Sequence, residues 1–197
     1  MEKVKHAVLT VSLFYVILYL TLMLFVFYTP FIETFHAEQQ TQLLFDEDIS
    51  FYRDNLLTFL LGEAPLVNDG FYSQREYDHM QDVQELFVIA TWLFSICLIV
   101  SLLLYKSVNS TKYVKRVLLF IFPVIVIIGF FFERAFIVFH HLVFRNDLWL
   151  LPADSSLIRM FPETFFLQIT LYVSIIVVII HVFLLLFFKI HTHFTRK

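Results

Sequence analysis

The chain has 197 residues, a formal net charge of −3, 59% hydrophobic and 19% aromatic content, and a mean hydropathy of +0.79. That apolar content is far above what a soluble domain needs to fill its core, which excludes a soluble globular protein and points to an integral membrane protein. No nucleic-acid partner is expected.

The chain opens with a basic segment followed by an apolar run, the outline of a signal peptide. The stretch "FVFYTPF" offers no small-residue cleavage site and the run is too long for a signal h-region, so residues 7–28 are expected to form a retained first span. Further apolar runs at 86–104, 114–133 and 165–188 give four spans in all, a span needing about 20 helical residues at roughly 1.5 Å each. Nine of the 14 basic residues lie in the termini and the 105–116 loop: Lys3, Lys5, Lys106, Lys112, Lys115, Arg116, Lys189, Arg196 and Lys197. Of the 17 acidic residues only Glu2 joins them. Lys and Arg accumulate on the cytoplasmic side of short loops. Both termini are therefore expected inside, and segments 30–85 and 134–164 outside. The expected fold is an all-α, single-domain, multi-pass membrane protein of four transmembrane helices with a small extracellular helical and loop cap.

Within the first outer segment, "FDEDISFYRDNLLTFLLG" sets Ile49, Tyr52, Leu56 and Phe59/Leu60 on one stripe, with Gly62 as terminator and Pro65 beyond. An amphipathic helix on the outer membrane face is expected. "VNDGFYSQREYDHM" then supplies a turn and a candidate N-cap, Ser73, with Glu76 three residues on. The helix so started runs on into the second span, which gives its charged face a rigid support. The second outer segment is apolar, and its Trp149 and many Phe suit the lipid–water interface. Cys97, the single cysteine, lies mid-span and has no partner for an internal disulfide, which excludes a paired-cysteine redox enzyme.

Position sorts the histidines. His6, His191 and His193 belong to solvated ends, His36 is expected at the surface, and His181, inside the fourth span, is expected to bond to a neighbouring helix. His79 is different. Arg75 at i−4 and Asp82 at i+3 share its helical face, and a carboxylate there can fix an imidazole tautomer and raise its basicity. A solvated charged face is the plainer reading of the same three residues. Depth adds weight: His79 lies seven residues before Leu86, and His140 seven beyond Glu133. If both helices continue, each imidazole stands roughly 10 Å beyond the hydrocarbon boundary, at the level of lipid ester bonds. Two imidazoles there suggest general acid–base chemistry on a lipid-like substrate; spacing does not choose between His140 and His141. No third metal ligand is evident, so no metal or other cofactor is expected. Ser155 and Ser156 after Asp154 are candidate nucleophiles of a lipid hydrolase, with an ordinary Asx or Ser turn as the plainer alternative.

The elements "NLLTFLLG", "REYDHMQDVQELF", "FHHLVFRNDLWLL" and "LIRMFPETFF" follow in order along almost the whole chain. Together they resemble the bacterial lipoprotein intramolecular transacylase family, most specifically through "HM-x-DV" and "FH-x-x-x-F-x-N-x-x-W". The resemblance implies a bacterial plasma-membrane enzyme whose substrate is a diacylglyceryl-modified lipoprotein. It would move the sn-2 acyl chain to the α-amino group of the N-terminal cysteine, giving the lyso form. The resemblance places the family's two catalytic histidines on His79 and His140, with His141 at a position that is often acidic in the family. Arg75, Asp82, Asn146, Trp149 and Arg159 become candidates for supporting the histidines or positioning the substrate. In the family an Asp-Pro tends to follow the Trp-Leu-Leu, whereas this chain has Leu151-Pro152 and then Asp154. A non-enzymatic envelope protein with a partner-binding or sensing cap is the alternative from another class. Neither reading fixes an oligomeric state.

Overall fold

The structure, a computed structural model, describes the backbone of residues 2–104 and 110–194 and the side chains of 2–104 and 114–187. The expectations attached to Lys106 and to the side chains of Lys112, Lys189, His191, His193, Arg196 and Lys197 lie outside the described residues. Among the described residues there is no strand. The helices are α1 (Glu2–Val26), α2 (Thr29–Glu38), a 3-10 turn at Thr41–Leu44, α3 (Ile49–Leu60), α4 (Gln74–Leu104), α5 (Ser110–Phe130), α6 (Phe132–Val143), α7 (Ser156–Met160) and α8 (Glu163–Phe194). They divide into two compact units, one from Met1–Leu24, Trp92–Phe132 and Ile169–Lys197, the other from Phe25–Thr91 and Glu133–Gln168.

The first unit is built from the apolar runs. Helices α1, α4 and the Glu163–Phe187 part of α8 are each long and apolar enough to cross a membrane. The third run is broken: Val114–Phe130 and Phe132–Val143 make a span only as a pair bent by 105°. The expected straight continuation of the third helix past Glu133 therefore does not occur. Two features of the sequence favour the break. Gly129 weakens the end of α5 by about 1 kcal/mol relative to Ala, and Glu133 sits in the first turn of α6, where a carboxylate complements the new helix dipole. Val114 and Val117 are buried among Leu13, Phe14, Ile121, Leu184 and Leu185, drawn from α1, α5 and α8. Large apolar side chains such as Leu103, Phe120, Phe130 and Phe183 point outward, as a lipid-facing surface requires. His181 is fully buried, and its Nδ1–H donates to the Val177 carbonyl one turn earlier at 2.7 Å. Cys97 is buried as a free thiol.

The second unit carries a core of its own, in which Leu56, Phe59, Leu60, Leu66, Tyr72, Met80, Leu157 and Met160 are buried together. Asp48 caps α3 by accepting from the Ser50 amide at 2.9 Å. The expected stripe is the buried one, with Ile49, Leu56, Phe59 and Leu60 inside and Tyr52 half-buried. Gly62 then ends the helix at φ +75°, a left-handed conformation that a side chain would disfavour. Tyr52 also stacks on Phe71, with ring centroids 3.6 Å apart and planes within 7°.

Two features here depart from or go beyond the sequence reading. His36, expected at the surface, is buried at 6% exposure, and its Nε2–H donates to the Met160 carbonyl at 3.0 Å. Helix α2, which carries it, was hidden in a polar stretch. Arg53 is also buried within the apolar face of α3, where Glu33 at 3.3 Å and Asp54 at 2.7 Å pair with it.

At the start of α4 the expected capping box forms. The Ser73 hydroxyl accepts from the Glu76 amide at 3.3 Å and Glu76 Oε2 accepts from the Ser73 amide at 2.8 Å. The other oxygen of Glu76 accepts from the Leu157 amide at 2.8 Å, one of the orphan donors in the first turn of α7. Only 2% of Glu76 is exposed. Glu76→Ala should therefore cost about 3 kcal/mol, since bonds to a charged group contribute about 1.5–3 kcal/mol each. Thermal unfolding of the purified protein should show a clear loss, with Glu76→Gln losing less.

Candidate active site

Helix α4 carries His79 two turns beyond its N-cap, and α6 carries His140 near its C-terminal end. Their rings lie 6.4 Å apart between centroids, with planes tilted by 38°. Both belong to the second unit, and His79 lies on the polar side of Leu86, outside the apolar part of α4. The sequence-predicted pair is thus brought together.

Aromatic rings wall the pair. Phe144 meets His79 at 5.2 Å and His140 at 5.7 Å, and Phe136 lies 4.3 Å from His140. Trp149 packs against His140 at 5.0 Å and meets His141 edge-on at 4.9 Å. Phe136 and Phe144 were not singled out from the sequence. Their signal was available, because they stand at i−4 and i+4 of His140 on a helical count.

Hydrogen bonds define the tautomer of one imidazole. His140 Nδ1 lies 2.7 Å from the Phe136 carbonyl, which can only accept, so Nδ1 carries the proton and Nε2 is the free nitrogen. His79 is 8% exposed and its Nδ1 has no hydrogen-bond partner. Burial pushes His79 down to about 4, with the His140 ring adding to that effect and Asp82 opposing it. Burial also lowers His140, but its carbonyl bond offsets part of this, while His141 adds to the lowering. Burial thus favours the neutral form of both imidazoles, and the Phe136 carbonyl is the contact that supports a proton on His140.

Arg75 and Asp82 work through the loop opposite. An Arg75 guanidinium nitrogen donates to the Asp147 carbonyl. The Asp82 carboxylate accepts from Asn146 Nδ2 at 2.8 Å, and Asn146 Oδ1 in turn accepts from the Leu148 amide at 3.0 Å. No hydrogen bond joins Asp82 to His79 among the described residues, so the face that holds all three is used differently from the carboxylate–imidazole contact expected. One turn on either side of His79, α4 grips the segment that leads to Trp149.

Other candidates lie elsewhere. Arg159 places its guanidinium over the Phe45 ring at 4.3 Å. Ser155 caps α7, its hydroxyl accepting from the Ile158 amide at 3.4 Å, and the Ser156 hydroxyl donates to the Phe71 carbonyl at 2.8 Å. The Ser155 hydroxyl is in use as a cap, close to the plainer alternative given for it, and the Ser156 hydroxyl is held by a carbonyl 85 residues away rather than in a turn. His79 and His140 have no third His, Cys, Asp or Glu grouped with them as a metal site would need, among the described residues.

The profile of the family described as lipoprotein intramolecular transacylase Lit matches residues 6–166. The chain belongs to that family. Membership makes it an acyltransferase that carries out transacylation on lipoproteins, rather than a binding protein. The solved membrane-integral lipoprotein intramolecular transacylase Lit from Bacillus cereus is similar in fold, with a TM-score of 0.84 at 21% identity, over 100% of this chain and 98% of that one. Two variants of the same Bacillus cereus protein also match over 100% of this chain. One, with a histidine replaced by alanine, gives a TM-score of 0.81 at 20% identity over 96% of its own length. The other, with a histidine replaced by arginine, gives 0.78 at 20% identity over 94%. No curated protein matches the chain. The fold is that of an all-α, multi-pass integral membrane protein.

The electrostatics of this transacylase make a direct prediction. With a folded value near 4 against about 6.5 when unfolded, His79 binds fewer protons folded than unfolded between those limits. Its contribution to stability should be complete above about pH 6.5 and decline as the pH falls toward 4. In an NMR titration of ring-labelled histidine, the His79 resonance should keep its neutral shift at pH 6. A midpoint near the unfolded value would contradict the burial argument.

Proposed function

We propose that this transacylase moves the sn-2 acyl chain of a diacylglyceryl-modified lipoprotein onto the α-amino group of its N-terminal cysteine, using His79 and His140 as base and acid. The observation that carries this reading is the 6.4 Å approach of two otherwise uncoordinated imidazoles inside an aromatic wall. An amine attacking an ester must lose a proton, and the departing glyceryl oxygen must gain one. The N–C bond forms as the C–O bond breaks, one proton passes from nitrogen to oxygen, and no atom is gained or lost.

The division of roles follows from the two environments. His79, held neutral by burial, takes the amine proton. That proton passes on to the free Nε2 of His140, which delivers it to the leaving alkoxide, while the Nδ1–H stays on the Phe136 carbonyl and keeps the ring oriented. Arg75, Asp82 and Asn146 act as positioning residues by fixing the loop before Trp149. Because donor and acceptor belong to one substrate molecule, holding them together supplies several kcal/mol of the barrier reduction. The Phe and Trp walls keep out water that would hydrolyse the ester. In this reading the spans are 7–28, 86–104, 114–133 and 165–188, with both termini in the cytoplasm and the histidine pair on the extracellular face of a bacterial plasma membrane. The basic residues near the termini support that orientation.

The test is mass spectrometry of the N-terminal lipopeptide from a diacylglyceryl lipoprotein, made with and without this protein in a host lacking its own N-acylating enzymes. Total mass should stay the same while one acyl chain moves from glycerol to nitrogen in the fragment ions. Loss of one acyl mass would mean hydrolysis instead. His79→Ala and His140→Ala should each lower the yield of lyso product by about 10²-fold or more, with the protein still inserted and folded. Full activity in either variant would refute the assignment.

A further inference from the structure

We propose that the indole Nε1–H of Trp149 is the hydrogen-bond donor that stabilises the oxyanion formed at the ester carbonyl, an inference that rests on the two-histidine reading of the site. Among the described residues, four buried side-chain polar atoms have no hydrogen-bond partner: His36 Nδ1, His79 Nδ1, Ser101 Oγ and Trp149 Nε1. Two of the four belong to rings that meet His140, at 6.4 and 5.0 Å. A buried polar group without a partner is costly and calls for an explanation. Here the two orphans are of complementary kinds. An imidazole nitrogen can accept a proton, whereas an indole N–H can only donate. A ligand that satisfies both presents a donor and an acceptor together, as an amine beside an ester carbonyl does.

Several neighbouring donors already make a bond. Arg75 donates to the Asp147 carbonyl, Asn146 Nδ2 to Asp82, His140 Nδ1 to Phe136 and the Leu148 amide to Asn146. Trp149 Nε1–H is a buried donor with no partner. As the amine nitrogen bonds to the carbonyl carbon, the carbonyl π pair moves onto oxygen, where the indole N–H meets the developing charge. When the intermediate collapses, that pair re-forms the C=O bond, the glyceryl C–O bond breaks, and the alkoxide takes its proton from the imidazolium. Asp82 and Arg75 hold the loop that presents the indole, which gives the grip of α4 on that loop a chemical purpose.

The test uses the full-length protein in detergent with a synthetic diacylglyceryl lipopeptide. Trp149→Phe keeps a ring against His140 and removes only the donor. It should lower kcat by about 10²–10³-fold, as loss of one oxyanion donor does, with KM unchanged. A second variant carries benzothienylalanine at position 149 in a Trp92→Phe background, so that sulfur replaces the N–H within the same bicyclic shape. It should lose as much kcat as Trp149→Phe, at an unfolding temperature equal to that of Trp92→Phe alone. Full kcat in the benzothienylalanine variant overturns the proposal, even if Trp149→Phe is inactive, because it would reduce Trp149 to a packing residue. Activity retained by His79→Ala or His140→Ala would instead remove the two-histidine reading, whatever the Trp149 variants do.

Discussion

The carboxylate of Glu76 holds the starts of two helices at once. One oxygen closes the capping box of α4 on the Ser73 amide and the other takes the Leu157 amide of α7. A buried charge is tolerated only when hydrogen bonds replace its water, so α4 has to begin at Ser73, and the register of everything after it follows. His79 comes six residues later, Met80 enters the core of the second unit, and Arg75 and Asp82 fall on the side that reaches the Asn146–Asp147 turn. A site built on a helix with so firm a start is placed more sharply than one built on a loop.

Much of the fold was legible because it is local. Apolar length gave the long helices, Ser73 with Glu76 gave the start of α4, and the 3.6-residue stripe with Gly62 gave α3. The histidine pair was legible through motif, whereas the depth read from spacing assumed a straight third helix that the bend at Phe131 removes. What escaped the sequence depends on partners far along the chain. His36 is buried because the Met160 carbonyl accepts from it, 124 residues away. Arg53 sits in an apolar stripe because Glu33 of α2 meets it there. The 105° bend after α5 was missed because a charged pair in an apolar run reads equally well as an interruption of one helix or as the start of another. Asp82 was assigned to its helical neighbour, yet a side chain on a helix surface has two sides, and the bond it makes is with Asn146.

Two imidazoles with different environments suit a transfer that begins and ends with the same number of charges. His79 lacks any hydrogen bond that would support its cation, while His140 has the Phe136 carbonyl behind it. That asymmetry separates their affinities for a proton without a carboxylate in direct contact. The aromatic wall of Phe136, Phe144 and Trp149 lowers the local dielectric and so strengthens whichever polar contacts the substrate completes.

The absence of strands among the described residues bears on how a lipoprotein is read. An extended peptide is often recognised by adding itself to an open sheet edge, where main-chain pairing supplies affinity. The described part of this chain has no such edge. Helices keep most of their amides and carbonyls for themselves, so the described part of this chain offers an extended polypeptide no sheet edge to lengthen.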